Sequence, residues 1–387
     1  MGPPFSGMLR ADGITSTEES TKTMLTTLIG LPVSELDTPA LLIDLDALEA
    51  NIAQMASDIA SRGASWRPHS KSHKCPAIAH KQVAAGAIGV ACAKLGEAEV
   101  MAANGIKDIL VPNQIVGPIK ARRVAALASF TDICVSVDSI ANVQEIDAAA
   151  LAHGTRPRAV IEVNTGMNRA GVDPGEPTLA LAKQMAECKA LRFAGLMTWE
   201  GHCWSMPQGP EREAAIHTAM SDMLNTAEMI RAAGIPVNII SVGGTATYLT
   251  SAGVAGVTEV QAGGGIFGDL EYLRQGANVK PAMTLMAQVT SRPTATRIIH
   301  DAGRKTIDPT NRAPQVRGLE IEEKVSFSAE HGTMHLKTAS DSPKVAERLE
   351  FSIGYSDQCN HLHENFYGIR NGVVECIWPI LGRGKIQ

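Results

Sequence analysis

Short apolar runs alternate with longer Ala-rich segments from Leu45 to Asp269, and this rhythm constrains the fold more than any other feature of the chain. Candidate strands are Trp66–His69, Ile88–Cys92, Asp108–Val111, Ile133–Val137, Ala159–Val163, Phe193–Met197, Asn238–Val242 and Glu259–Ala262. Each is short and apolar, as a parallel strand covered on both faces should be. Between them lie amphipathic stretches such as Ala47–Ser61, Gly96–Ala103, Ser139–His153 and Pro210–Ala233. Helix stops are expected at Asn104-Gly105, His153-Gly154 and Ala233-Gly234. Eight strands in strict alternation predict an α/β chain of the (β/α)8, TIM-barrel type rather than an open sheet. No GxGxxG follows an early strand, so a dinucleotide fold lacks its main support.

After about Lys280 the pattern turns β-like, with runs at Met283–Val289, Val325–Ser328, Arg348–Ser352, Tyr367–Arg370 and Val373–Ile377. Asn371-Gly372 between the last two predicts a hairpin. The expected organisation is an extension over 1–45 whose strand-like Thr38–Asp44 joins the β domain, a barrel over 46–280, and a C-terminal β domain over 281–387. A formal net charge of -5 gives no footprint for nucleic acid or an anionic membrane, which leaves a small molecule as the partner. Seven scattered cysteines without a CxxC pair read as reduced thiols of a cytoplasmic protein. With no basic start leading into an apolar stretch and no run near ~20 apolar residues, neither export nor a membrane span is expected.

Functional side chains are densest in Arg67-Pro68-His69-Ser70-Lys71-Ser72-His73-Lys74, where the first barrel strand ends and barrel enzymes place their sites. A lysine that forms an imine must be deprotonated, and neighbouring cations with partial burial favour that state. Lys71, nearer the strand end than Lys74, is the candidate; a solvated basic loop is the plain alternative. Gly243-Gly244-Thr245 after strand seven and Gly263-Gly264-Gly265 after strand eight are phosphate-type loops, although either alone could be a tight turn. Arg169, after strand five, suits a cofactor ring or a substrate carboxylate, or could be packed for structure. Trp199 offers a ring for stacking, and His202 an imidazole for proton transfer.

Together these residues resemble the alanine-racemase-like, fold type III pyridoxal-phosphate enzymes, and among them the D-threonine aldolase and D-serine dehydratase branch. The likeness spans nearly the whole chain. It is carried by Asp37-Thr38-Pro39-Ala40, the Lys71 motif, Leu95-Gly96-Glu97-Ala98-Glu99, Gly243-Gly244-Thr245, Glu259-Val260-Gln261-Ala262-Gly263, Ser328-Ala329-Glu330-His331-Gly332 and the ending from Trp378-Pro379-Ile380 to Arg383-Gly384-Lys385.

The resemblance implies pyridoxal 5'-phosphate on Lys71, a small amino-acid substrate and a homodimer that shares its active site. It also implies a divalent metal, Mg2+ or Mn2+, held by a His and, two residues later, an Asp or Cys. Here Tyr355 stands where that histidine would be, and Asp357 matches the second ligand. Cys359, His361 or His363 could replace the lost group, the two histidines pointing one way along a β-like run. Tyr355 could instead act as an acid or base opposite Lys71, or simply pack at the domain interface. His69, His73 and His202 are candidates for deprotonating a β-hydroxyl. Retro-aldol cleavage of a β-hydroxy-D-amino acid is the leading expectation; a dehydratase, a racemase, a non-catalytic cofactor-binding protein and a sugar-phosphate barrel enzyme are the alternatives.

Overall fold

The computed structural model describes residues 27–387; the first 26 residues of the expected extension lie outside it. Eight strands form one parallel sheet: β2 (Ser65–Trp66), β3 (Val90–Ala91), β4 (Asp108–Gln114), β5 (Asp132–Val137), β6 (Arg158–Glu162), β7 (Arg192–Met197), β8 (Ile239–Val242) and β9 (Glu259–Val260). Their order is β2-β9-β8-β7-β6-β5-β4-β3, so each strand lies beside its neighbour in sequence, except that β2 pairs with β9. The remaining gap closes through a parallel bridge between His69 and Ala91 and the Ala91 N–H on the Pro68 carbonyl at 2.9 Å. The barrel is therefore complete, and the ladder on β2 is short because Pro68 has no N–H to donate.

Alternation along the strands separates two cores. Ile109, Val111, Ile133, Val135 and Ile161 face the helices, whereas Ala91, Leu110, Cys134, Val160 and Met197 meet in a small cluster of their own. Charge also fills the barrel. Arg67, 2% exposed, holds Glu259 at 2.9 Å and Asp108 at 2.8 Å, and Arg158 reaches the same Asp108 at 2.7 Å. Gly89 leaves the space for this, since a Cβ there would come 2.9 Å from the Arg67 guanidinium. Arg67 is thus a packed structural residue and not a member of the functional cluster its sequence neighbours suggest.

Helix ends follow local chemistry. The side chain of Ser139 accepts from the Asn142 N–H at the start of Ile140–His153, and Gly154 ends that helix at φ 72°. No described helix is long and apolar enough to cross a membrane.

The second sheet begins with β1 (Ala40–Asp44), which runs antiparallel to β10 (Met283–Ser291) and parallel to Asn365–Arg370. The latter pairs with Val373–Pro379 through Asn371 and Gly372, both at positive φ as a tight hairpin requires. Residues 356–362 are not β-like. They form helical turns, Ser356–Cys359 and Asn360–Leu362, because the Ser356 N–H is held by Asp269 and the Asn360 amide by the Ser72 carbonyl.

Candidate active site

The loops at the C-terminal ends of the barrel strands enclose a cavity of about 560 Å³, which Asn311 and Tyr355 wall from the C-terminal side. Lys71 enters it from a single turn, Ser70–Ser72, immediately after β2. That turn is fixed by the Ser70 hydroxyl on the Ala91 carbonyl at 3.0 Å and by the Lys71 N–H on His69 Nδ1 at 3.3 Å. Lys71 Nζ lies 3.4 Å from Asp357 Oδ2 and 5.6 Å from the Trp199 ring centre. Arg169 approaches the same ring at 5.3 Å and Glu162 at 3.4 Å, so Trp199 collects both cations of this wall.

His69 lines the cavity, and burial, reinforced by the charge of Lys71, holds its imidazole well below the usual histidine range. A neutral ring whose Nδ1 accepts from the backbone carries its proton on Nε2, so His69 faces the cavity as a donor.

Opposite lie the two glycine loops. Gly243, at φ 79°, gives its N–H to Glu200 Oε2 at 3.2 Å, Gly244 gives its N–H to Thr247 Oγ1 at 3.2 Å, and Gly265 gives its N–H to Thr245 Oγ1 at 3.1 Å. The N–H groups of Thr245, Ala246 and Gly264 meet no acceptor among the described residues, and all three residues line the cavity. This is an anion cradle.

Several expected residues take other places. Gly265 sits off the wall, behind Thr245 and against Met55. His73 is buried, with Nδ1 accepting from the Cys75 N–H at 3.0 Å, and burial pushes it down to about 3; it has no access to a substrate. His202 packs on Gly166 instead of lining the cavity, and its Nδ1 is buried without a partner. Along the 3-10 turn Gly201–Ser205 it is Gly201, Trp204 and Ser205 that line the cavity, while the His202 ring fills the space beside the Cα of Gly166.

Sequence reasoning missed Tyr272, Trp204 and Gln114. Tyr272 follows the Asp269 cap of the short helix Leu270–Arg274, and the Asp-x-x-Tyr spacing was its one local signal. Its hydroxyl donates to Asp357 Oδ1 at 3.2 Å, and its ring lies so close to Gly264 that a Cβ there would be 2.4 Å away.

Residues 43–271 match the alanine racemase N-terminal domain family, and residues 282–369 a putative serine dehydratase domain. Over 362 residues the chain is 33% identical to a D-threonine aldolase of Arthrobacter sp, covering 92% of this chain and 95% of that protein.

The chain belongs to the alanine-racemase-like enzymes, in their D-threonine aldolase branch.

A 3-hydroxy-D-aspartate aldolase of Paracoccus denitrificans (strain Pd 1222) is 32% identical, over 92% of this chain and 94% of that one. The crystal structure of D-threonine aldolase from Filomicrobium marinum superposes with a TM-score of 0.89 at 34% identity, covering 93% and 98%.

The alanine-racemase-like family implies pyridoxal phosphate, and the residues present fit it. An amine stands in the cavity, a cradle of unused N–H groups faces it, and Gly264 has no room for a larger side chain. The divalent metal of the branch does not fit. Asp357 already accepts from Tyr272, and no three His, Cys, Asp or Glu side chains converge among the described residues.

Proposed function

We propose that this chain is a pyridoxal-phosphate-dependent lyase that cleaves a β-hydroxy-D-amino acid, D-threonine-like, to glycine or another amino acid plus an aldehyde. The observation that carries the reading is Lys71 Nζ in a barrel-mouth cavity, facing the N–H cradle of Thr245, Ala246 and Gly264. Lys71 would hold the cofactor covalently, the cradle its phosphate, and Trp199 and Arg169 its ring. Pyridoxal phosphate, when bound, supplies the electron sink for a bond broken at Cα.

The chain's own residues then select the bond. Tyr355 is the candidate on the cavity wall for taking the β-hydroxyl hydrogen. Burial and then the Asp357 charge raise its phenol above the ordinary range, so it keeps its proton until it can pass it on. Asp357, which faces that phenol, receives this proton as Tyr355 Oη takes the one from the substrate. The β-carbon leaves as the carbonyl carbon of the aldehyde, and Lys71 Nζ would return a proton to Cα. The reading includes a homodimer whose subunits share the cavity, which sedimentation would check.

Purified holoenzyme given D-threonine and phenylserine should release aldehyde and glycine. Keto acid and ammonia in their place would mark a dehydratase and overturn the assignment.

A further inference from the structure

Asp357 is the one surviving member of the ligand pair its branch uses for a divalent ion, and Tyr272 takes one of its two oxygens. Oδ1 accepts from Tyr272 at 3.2 Å, and Oδ2 lies 3.4 Å from Lys71 Nζ. Tyr272 is wedged against Gly264 and makes edge contacts with Trp204 at 5.8 Å and Tyr355 at 5.5 Å, which hold its hydroxyl on Oδ1 and leave only Oδ2 for an ion. A hard cation needs several oxygen or imidazole donors around it, and a neutral phenol is a poor one.

Substitutes from the same segment are pointed elsewhere. Cys359 is buried, with Sγ toward the Thr306 carbonyl at 3.6 Å. His363 spends Nε2 on that same carbonyl at 2.8 Å, and His361 is exposed on the following turn. Cys359 ends one helical turn, His361 lies in the next and His363 follows both in extended backbone, so the two histidines lack the common direction a ligand pair on one strand would have.

We propose that this chain has replaced the metal of its branch with hydrogen bonding: the Tyr355 hydroxyl, backed by Asp357 and Tyr272, takes the substrate's β-hydroxyl, and no divalent ion is bound or required. The inference rests on the lyase reading above, but metal binding is measured separately from turnover.

The experiment uses holoenzyme dialysed against EDTA. Metal content is measured by mass spectrometry, Mn2+ binding by electron paramagnetic resonance, and aldehyde release from D-threonine with and without added Mn2+. Expected are substoichiometric metal, no Mn2+ binding in the micromolar range, and a turnover that EDTA changes by less than about twofold. In Tyr355→His, and in Tyr355→Glu as a second variant, the restored donor beside Asp357 should tighten Mn2+ binding by about 10- to 100-fold. One equivalent of retained metal, or an EDTA-induced loss that Mn2+ reverses, would overturn the proposal. So would two folded variants, judged by their cofactor absorbance, that still bind no Mn2+. Absence of aldehyde from every substrate would remove the lyase reading, and the Mn2+ titration would still decide the metal question.

Discussion

Tyr272 and Asp357, 85 residues apart, are joined by a hydrogen bond of 3.2 Å, so one tyrosine ties the glycine cradle to the carboxylate beside Lys71. Hydrogen bonds to charged groups contribute roughly 1.5–3 kcal/mol, and Tyr272→Phe removes this one without changing the ring that packs on Gly264. We expect kcat to fall by about tenfold or more, with little change in cofactor absorbance. A wild-type kcat in the variant would show that Asp357 does not depend on Tyr272.

Lys71→Ala should lose both the visible absorbance near ~420 nm and turnover, by on the order of 10^3-fold, since the attachment point and the proton donor to Cα vanish together. Spectra before and after borohydride, read alongside the aldehyde assay, check this. A yellow, active variant would refute the site assignment.

Gly264→Ala places a methyl 2.4 Å from the Tyr272 ring. Overpacking of this kind costs about 1–3 kcal/mol, and here it falls on the cradle. Cofactor titration of the apoprotein should show weaker binding by about tenfold, whereas unchanged binding would place the phosphate elsewhere.

Arg67→Ala leaves Glu259, 3% exposed, without its partner inside the barrel. Breaking a buried pair from one side costs about 3–5 kcal/mol, which denaturant unfolding would read directly. A change below about 1 kcal/mol would mean that water or Arg158 compensates.

Stability should fall with acid. Burial pushes His300 down to about 4 and His73 down to about 3, so both fold neutral while the unfolded chain protonates them from about 6.5. The unfolded state therefore binds more protons between pH 6.5 and those values, and each group removes about 1.4 kcal/mol per pH unit across that window. His69, depressed by burial, adds to the same trend. Asp269, pushed up to about 7 by burial, works in the opposite sense because its folded form binds the proton first, but it is one group against three. Denaturant midpoints at pH 7, 6 and 5 should decline; a flat series would contradict the burial argument.

The barrel strands and their order were legible in the sequence because the signal for each is local. A parallel strand covered on both faces must be a short apolar run, a helix end must be capped, and Asn371-Gly372 can take the positive φ of a hairpin wherever it occurs. Lys71 and the glycine loops were legible for the same reason, since strand ends locate them. Tertiary structure alone decided what those local rules leave free. Arg67 shares a basic run with Lys71, yet strand alternation sends its guanidinium inward to Glu259 and Asp108. His202 is a residue from Gly201, yet its ring packs on Gly166 in the loop after β6 and does not line the cavity. Tyr272 shows its role only through contacts with Gly264 and Asp357, which no sequence spacing connects. A side chain's direction depends on which surfaces its element buries, and that is settled by packing between segments far apart in the chain.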